Sequence, residues 1–247
     1  MSPPLSGTHR DGKHLSDDIA RAITHAADQM HQAATVEETL EIIVRSAVEV
    51  LPSFDHIGVS TKEKGGVVVN RAATSDLVLE LDALQYGIPQ GPCVDSLTGE
   101  DVVTAPHIAR DPRWPQYVPE AVARGLQSQL AVRLHLADLG TIGGLNLYST
   151  TNEEIDPTDA ATAAFFATHA SIALGTARHK ASMSEAVQTR QRVGLAIGML
   201  MERYNIDESA AQAFLWRASS HSNIKVRDIA DKLIGERATQ QRDATID

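Results

Sequence analysis

Six cations toward the end of the chain could do chemistry together: Arg190, Arg192, Arg203, Arg217, Lys225 and Arg227. Guanidinium and ammonium groups hold phosphate oxygens, and arginine also stacks on or hydrogen-bonds to unpaired bases. The competing reading of each is a solvated charge on a helix. Tyr204 and Trp216 carry rings that could stack on a base, with a place in a small core as the alternative. Ser219, Ser220 and Asn223 could donate to a ligand or cap a helix. Cys93 is the single cysteine. Gly91-Pro92 before a helix start could lower its pKa and make it a redox- or ligand-sensing thiol; a small buried apolar group is the alternative. Asp111, Arg113 and Trp114 read as a reactive cluster or as a salt bridge in a rigid loop. No nucleophile–base pair, phosphate-binding glycine loop or metal-ligand spacing occurs. These residues imply no enzyme, no metal and no cofactor.

The elements that must position these residues follow from spacing. Val187, Val193, Ala196, Ile197, Leu200 and Met201 recur at three- and four-residue steps, one face of a helix. Breaks at residues 205–207 and 221–223 separate two further helical patterns, so three helices close the chain. Leu200, Met201, Phe214, Leu215, Ile229 and Leu233 are their expected core. Gly194 and Gly198 suggest close helix packing there.

Upstream, residues 15–34 read as a helix capped by Ser16, with Ile19, Ile23, Ala26, Met30 and Ala33 as its stripe. Thr35-Val-Glu-Glu38 is a capping box opening a second helix with Leu40, Ile43, Val44, Ala47 and Val48 inward. Two hairpins follow the change of period, turning at Lys64-Gly65-Gly66 and Asp138-Leu139-Gly140. Short helical and strand segments lie between them. Asp156-Pro157 starts a run without proline up to Tyr204, one long helix or two nearly end to end. The order predicts an α+β fold: an antiparallel sheet flanked by helices, a long connecting helix, then an all-α three-helix module.

The net charge of −10 argues against coating nucleic acid or membrane through bulk charge. From Ser184 onward nine bases balance nine acids, so the excess charge lies upstream. One cysteine excludes an internal disulfide and fits a cytoplasmic setting. The apolar run over residues 160–174 is too short and too polar to span a bilayer, so no membrane is expected.

The C-terminal part resembles the ANTAR domain, an RNA-binding antitermination module. The match is carried by Thr189-Arg190, Ala196-Ile-Gly-Met-Leu-Met201, Ala211, Phe214-Leu215-Trp-Arg217, Ala218-Ser219 and Asn223-Ile-Lys-Val-Arg-Asp-Ile-Ala230. Where that family often has Ala-Lys-Gly, this chain has Ala196-Ile197-Gly198, and that turn brings no cation. Residues Gln90-Gly-Pro-Cys93, Asp111-Pro-Arg-Trp-Pro115, 128–134 and Gly144-Leu-Asn-Leu-Tyr148 look like a GAF domain, of the type joined to ANTAR in actinobacterial proteins.

Pro3-Pro4, Gly7 and Gly12, with few large apolar groups, make residues 1–14 read as a disordered tail. The expected division of the rest is a GAF-like sensor over 15–175, a helical connector over 176–185, the ANTAR module over 186–235 and a flexible tail over 236–247. The resemblance also implies binding of paired stem-loops in nascent transcripts through the six cations and promotion of transcription antitermination. A small-molecule or protein partner at the GAF domain and a homodimer complete the expectation. The rival readings are a DNA-binding regulator with a helix-turn-helix over residues 208–235 and, further off, a GAF-type enzyme.

Overall fold

The computed structural model describes residues 8–63 and 65–243, with side chains over 18–63 and 65–236. Residues 1–7 and 244–247 of the two expected tails lie outside the described residues. The chain divides into two compact units, Met1–Arg178 and His179–Asp247.

In the first unit, α1 (Thr8–Gln32) begins well before the expected cap. Residues 8–14 are helical rather than tail, and Ser16 lies inside the helix. Helix α2 (Val36–Val50) starts as predicted: the Glu38 amide donates to Thr35 Oγ1 at 3.1 Å. The Glu38 carboxylate accepts from the Ala34 amide at 2.7 Å, one residue earlier than in the usual reciprocal box. Five strands follow in sequence order: β1 (His56–Lys62), β2 (Val68–Ala73), β3 (Val102–Ala105), β4 (Ser128–Leu136) and β5 (Gly140–Ser149). They form one antiparallel sheet in the order β2-β1-β5-β4-β3. Between β2 and β3 lie α3 (Asp76–Gly87) and α4 (Pro92–Thr98), and α5 (Tyr117–Ala123) precedes β4.

Strand alternation gives the sheet two different faces. Ile57, Val59, Leu130, Val132, Leu134, Leu145 and Leu147 pack with α1, α2 and the first part of α6 (Pro157–Tyr204) in the larger core. Ser60, Gln129, Asn146 and Tyr148 alternate with them on the opposite face, and Tyr148 packs with residues of α3 and α5. Val48, expected inward, is exposed on α2. By length and composition α6 could cross a membrane, with a mean hydropathy of 1.2 over its most apolar window. Its Ala163, Phe166, Ala167, Ala170 and Leu174 are instead packed in the larger core.

The second unit is all-α. It contains the end of α6, α7 (Glu208–Ser222) and α8 (Val226–Asp243); residues 236–243 of the expected tail are helical. Asp207 caps α7 by accepting from the Ala210 amide at 2.8 Å. Asn223 ends it in the left-handed conformation at φ 53°, so it closes α7 and does not cap α8. Ser219 Oγ donates to the Ile224 carbonyl across the same turn at 2.6 Å. The core consists of Ala196, Leu200, Ala211, Leu215 and Ala230, flanked by half-buried Val193, Ile197, Met201, Ile229 and Leu233. Ile197 is half-buried against this core. Phe214, expected in this core, is exposed, and so are Tyr204 and Trp216. An added Cβ at Gly194 or Gly198 would meet nothing within 4 Å, so neither glycine marks a close helix crossing in the described residues.

Candidate nucleic-acid interface

The six cations do not stand alike in the second unit. Arg192 Nε is hydrogen-bonded to Asp231, which ties α6 to α8. Arg227 makes the same kind of tie: its Nη1 lies 2.5 Å from Glu185 Oε1, and its Nε is 3.4 Å from Asp228 Oδ1. The Glu185 hydrogen bond holds the Arg227 guanidinium above its ordinary pKa. Arg190, Arg203, Arg217 and Lys225 are exposed, with no carboxylate in salt-bridge range among the described residues. Exposed ion pairs contribute little to stability, so the ties of Arg192 and Arg227 chiefly orient side chains.

Helix geometry sorts them further. Arg192 and Arg203 lie about 20° apart around α6, whereas Arg190 lies about 160° from Arg192. The three arginines of α6 therefore flank both sides of its buried stripe. Arg203 Cζ sits 5.8 Å from the centroid of the Tyr204 ring. On α7, Arg217 follows Phe214 by one turn on the same face. Lys225 immediately precedes the first turn of α8, and its carbonyl accepts from the Asp228 and Ile229 amides.

The first unit holds a second polar assembly that sequence reasoning missed. Asp82 is buried on α3. It accepts from Asn70 Nδ2 at 2.5 Å, Asn146 Nδ2 at 2.9 Å, Ser60 Oγ at 3.2 Å and the Tyr148 hydroxyl. Burial pushes its pKa up, against the pull of these four donors. Gln85, one turn further, extends the network: it donates to the Tyr148 hydroxyl and accepts from the Cys93 and Gln129 amides. Tyr117 closes it by donating to Gln129 Oε1 at 2.6 Å. The signal was present in the sequence, because Asp82 and Gln85 share the helix face of Val78. Asn146 Oδ1 is buried there without a hydrogen-bond partner among the described residues.

Cys93 sits in this network, fully buried, with its sulfur 3.2 Å from the Tyr86 hydroxyl. The expectation that its helix start lowers the pKa is corrected. Burial, and next the nearby Asp82, push the thiol up and keep it protonated. Asp111, Arg113 and Trp114 form a rigid corner. Arg113 Nη2 bridges Asp111 Oδ2 and the Thr104 carbonyl, both at 2.6 Å, and its guanidinium covers the Trp114 ring at 4.1 Å. The Trp114 indole donates to Asp95 Oδ2 at 2.8 Å.

Comparison with known proteins assigns both units. Residues 33–175 match the GAF domain family and residues 181–234 the ANTAR domain family. No curated protein sequence matches the chain. Among solved structures, bacteriophytochrome RpBphP3 from the photosynthetic bacterium R. palustris is similar at a TM-score of 0.54 and 14% identity. The match covers 74% of this chain but only 42% of the phytochrome. The GAF domain of a phosphoenolpyruvate-protein phosphotransferase from Coxiella burnetii is similar at 0.53 and 16% identity, covering 66% of this chain and 96% of that one. The free methionine-R-sulfoxide reductase from Neisseria meningitidis, in complex with its substrate, is similar at 0.52 and 13% identity, over 72% and 98%. At such identities these likenesses show the fold alone. The five-stranded antiparallel sheet with its flanking helices, the long α6 and the helices that follow it agree with both matches, and the chain belongs to the GAF family as a GAF and ANTAR domain-containing protein.

Proposed function

We propose that the chain is a cytoplasmic, signal-responsive regulator that binds paired stem-loops in nascent transcripts and promotes antitermination. The ANTAR match supports RNA binding, and the GAF match supports a sensory role for the first unit. The observation that carries the reading is the set of four exposed cations, Arg190, Arg203, Arg217 and Lys225, that have no carboxylate in salt-bridge range among the described residues of this all-α module. In this reading Arg192 and Arg227, already paired with Asp231 and Glu185, contribute less to RNA affinity than the other four. A ligand or protein partner acts on the GAF unit through differential affinity for two states.

The test is a titration of the full chain with a two-hairpin RNA, its scrambled sequence and duplex DNA over a range of salt. Affinity for the hairpin pair is expected to exceed that for the other two. Arg217→Ala and Lys225→Ala each reduce the slope of log K against log salt by about 0.7–0.9. Arg227→Ala leaves that slope near the wild-type value. Equal affinity for paired and scrambled RNA would remove the antiterminator reading, and preference for duplex DNA would replace it with the helix-turn-helix one.

A second copy of the chain is the proposed partner of α6. On α6, Phe165 and Ile172 of the first unit, seven residues apart, and Met183 and Val187 of the second, four apart, are each more than half exposed. Ile172→Lys with Val187→Lys is expected to shift the sedimenting species from dimer to monomer. An unchanged sedimentation coefficient would rule out this seam.

A further inference from the structure

Phe214 and Leu215 are adjacent apolar residues on α7, and only Leu215 is buried. Phe214 is 43% exposed and lies beside Tyr204, which is 54% exposed. Their ring centroids are 6.1 Å apart with planes tilted by 32°. Leaving two aromatic rings in water forgoes the burial energy that usually places them inside a small module. Two arginines stand near the pair. Arg203 stands over the Tyr204 ring on one side, and Arg217 follows Phe214 by one turn. Neither arginine has a carboxylate partner among the described residues. An aromatic step with a free cation beside each ring matches a ligand that has a flat face and an anionic backbone. An unpaired nucleotide meets both conditions, since every base has a π-face and each is followed by a phosphate.

We propose that Tyr204 and Phe214, with Arg203 and Arg217 beside them, form a platform on which an unpaired loop base of RNA stacks. This rests on the RNA-binding reading above and adds to it which residues of this chain hold an unpaired base. The platform supplies loop discrimination, while the cations supply the salt-dependent share of the affinity.

The probe is a two-hairpin RNA with randomised loops, enriched on the full wild-type chain. It is then titrated beside the same stems closed into continuous duplex. Tyr204→Ala and Phe214→Leu are each expected to weaken binding of the looped RNA by about fivefold or more, the usual effect of losing one base–aromatic stack. Phe214→Tyr retains the affinity. The slope against salt stays at the wild-type value in all three variants, and the thermal melt of Phe214→Leu stays near that of the wild type. The platform is overturned by wild-type affinity in Tyr204→Ala and Phe214→Leu, by equal losses on looped and closed RNA, or by a change in association state in place of affinity. If the wild-type chain enriches no looped RNA, the RNA-binding reading fails and the platform with it. If it does enrich such RNA but the variants bind it normally, only the platform fails.

Discussion

Gly143→Ala is expected to destabilise the first unit by about 3 kcal/mol or more, the upper range for forcing an atom into a packed interior. A Cβ at this position would lie 2.1 Å from the Ser60 carbonyl oxygen and 3.1 Å from Thr61 Cα. Both are backbone atoms of β1, the strand paired with β5 at Thr61 opposite Gly143. No side-chain rotation relieves the clash, so the two strands must part within a five-stranded sheet. For a domain of this size the melting temperature falls by about 6–12 °C. The next residue supplies the control. A Cβ at Gly144 points to the other face and meets Leu97 Cδ2 at 3.6 Å, an ordinary contact. Gly144→Ala is therefore expected to be neutral or to stabilise by about 0.5 kcal/mol, because alanine narrows the unfolded ensemble. Thermal melts of the two variants check the pair, and coincident curves would contradict this account of the β1–β5 contact.

Leu215→Ala is expected to unfold the three-helix module. Leu215 is one of two leucines in a core otherwise made of alanine. Truncating a buried leucine costs about 2–5 kcal/mol, and a module of this size rarely holds more than about 3–5 kcal/mol in its core. The loss is thus comparable to the whole stability of the unit. Helical circular dichroism should drop by the share of α7 and α8, and affinity for the two-hairpin RNA should vanish. The first unit, with its own separate cores, should melt as in the wild type. Phe214→Ala, one position away, should leave the helical signal intact because its ring is already half in solvent. Retention of full helicity in Leu215→Ala would show that the module draws its stability from something other than this core.

These two glycines and two apolar neighbours mark the boundary of what could be read without coordinates. Local signals were legible because they depend on a few adjacent residues. The Thr35 cap, the turn ending at Gly140, the proline-led start of α6 and the Asp207 break all act within one turn of backbone. The family motifs were legible for the same reason, as short ordered patterns of residue types. By contrast, α1 runs back to Thr8, past a serine that suited a cap but lies inside the helix.

Long-range placement was not legible. A hydrophobic period says that α7 has an apolar side, but the positions of α6 and α8 decide that Leu215 faces inward and Phe214 outward. The six arginines and lysines are equivalent as charges in the sequence. Only tertiary contacts give Asp231 to Arg192 and Glu185 to Arg227, from segments 39 and 42 residues away, and leave the other four without a carboxylate partner among the described residues. Asp82 reads as one acid in an apolar helix until the sheet brings Asn70, Asn146 and Tyr148 around it. The sequence by itself determined the elements, their order and the two families, because those are written in local spacing and composition. The tertiary structure alone decided which cations are available, where the thiol is buried and which rings remain exposed, because each depends on packing between segments far apart in the chain.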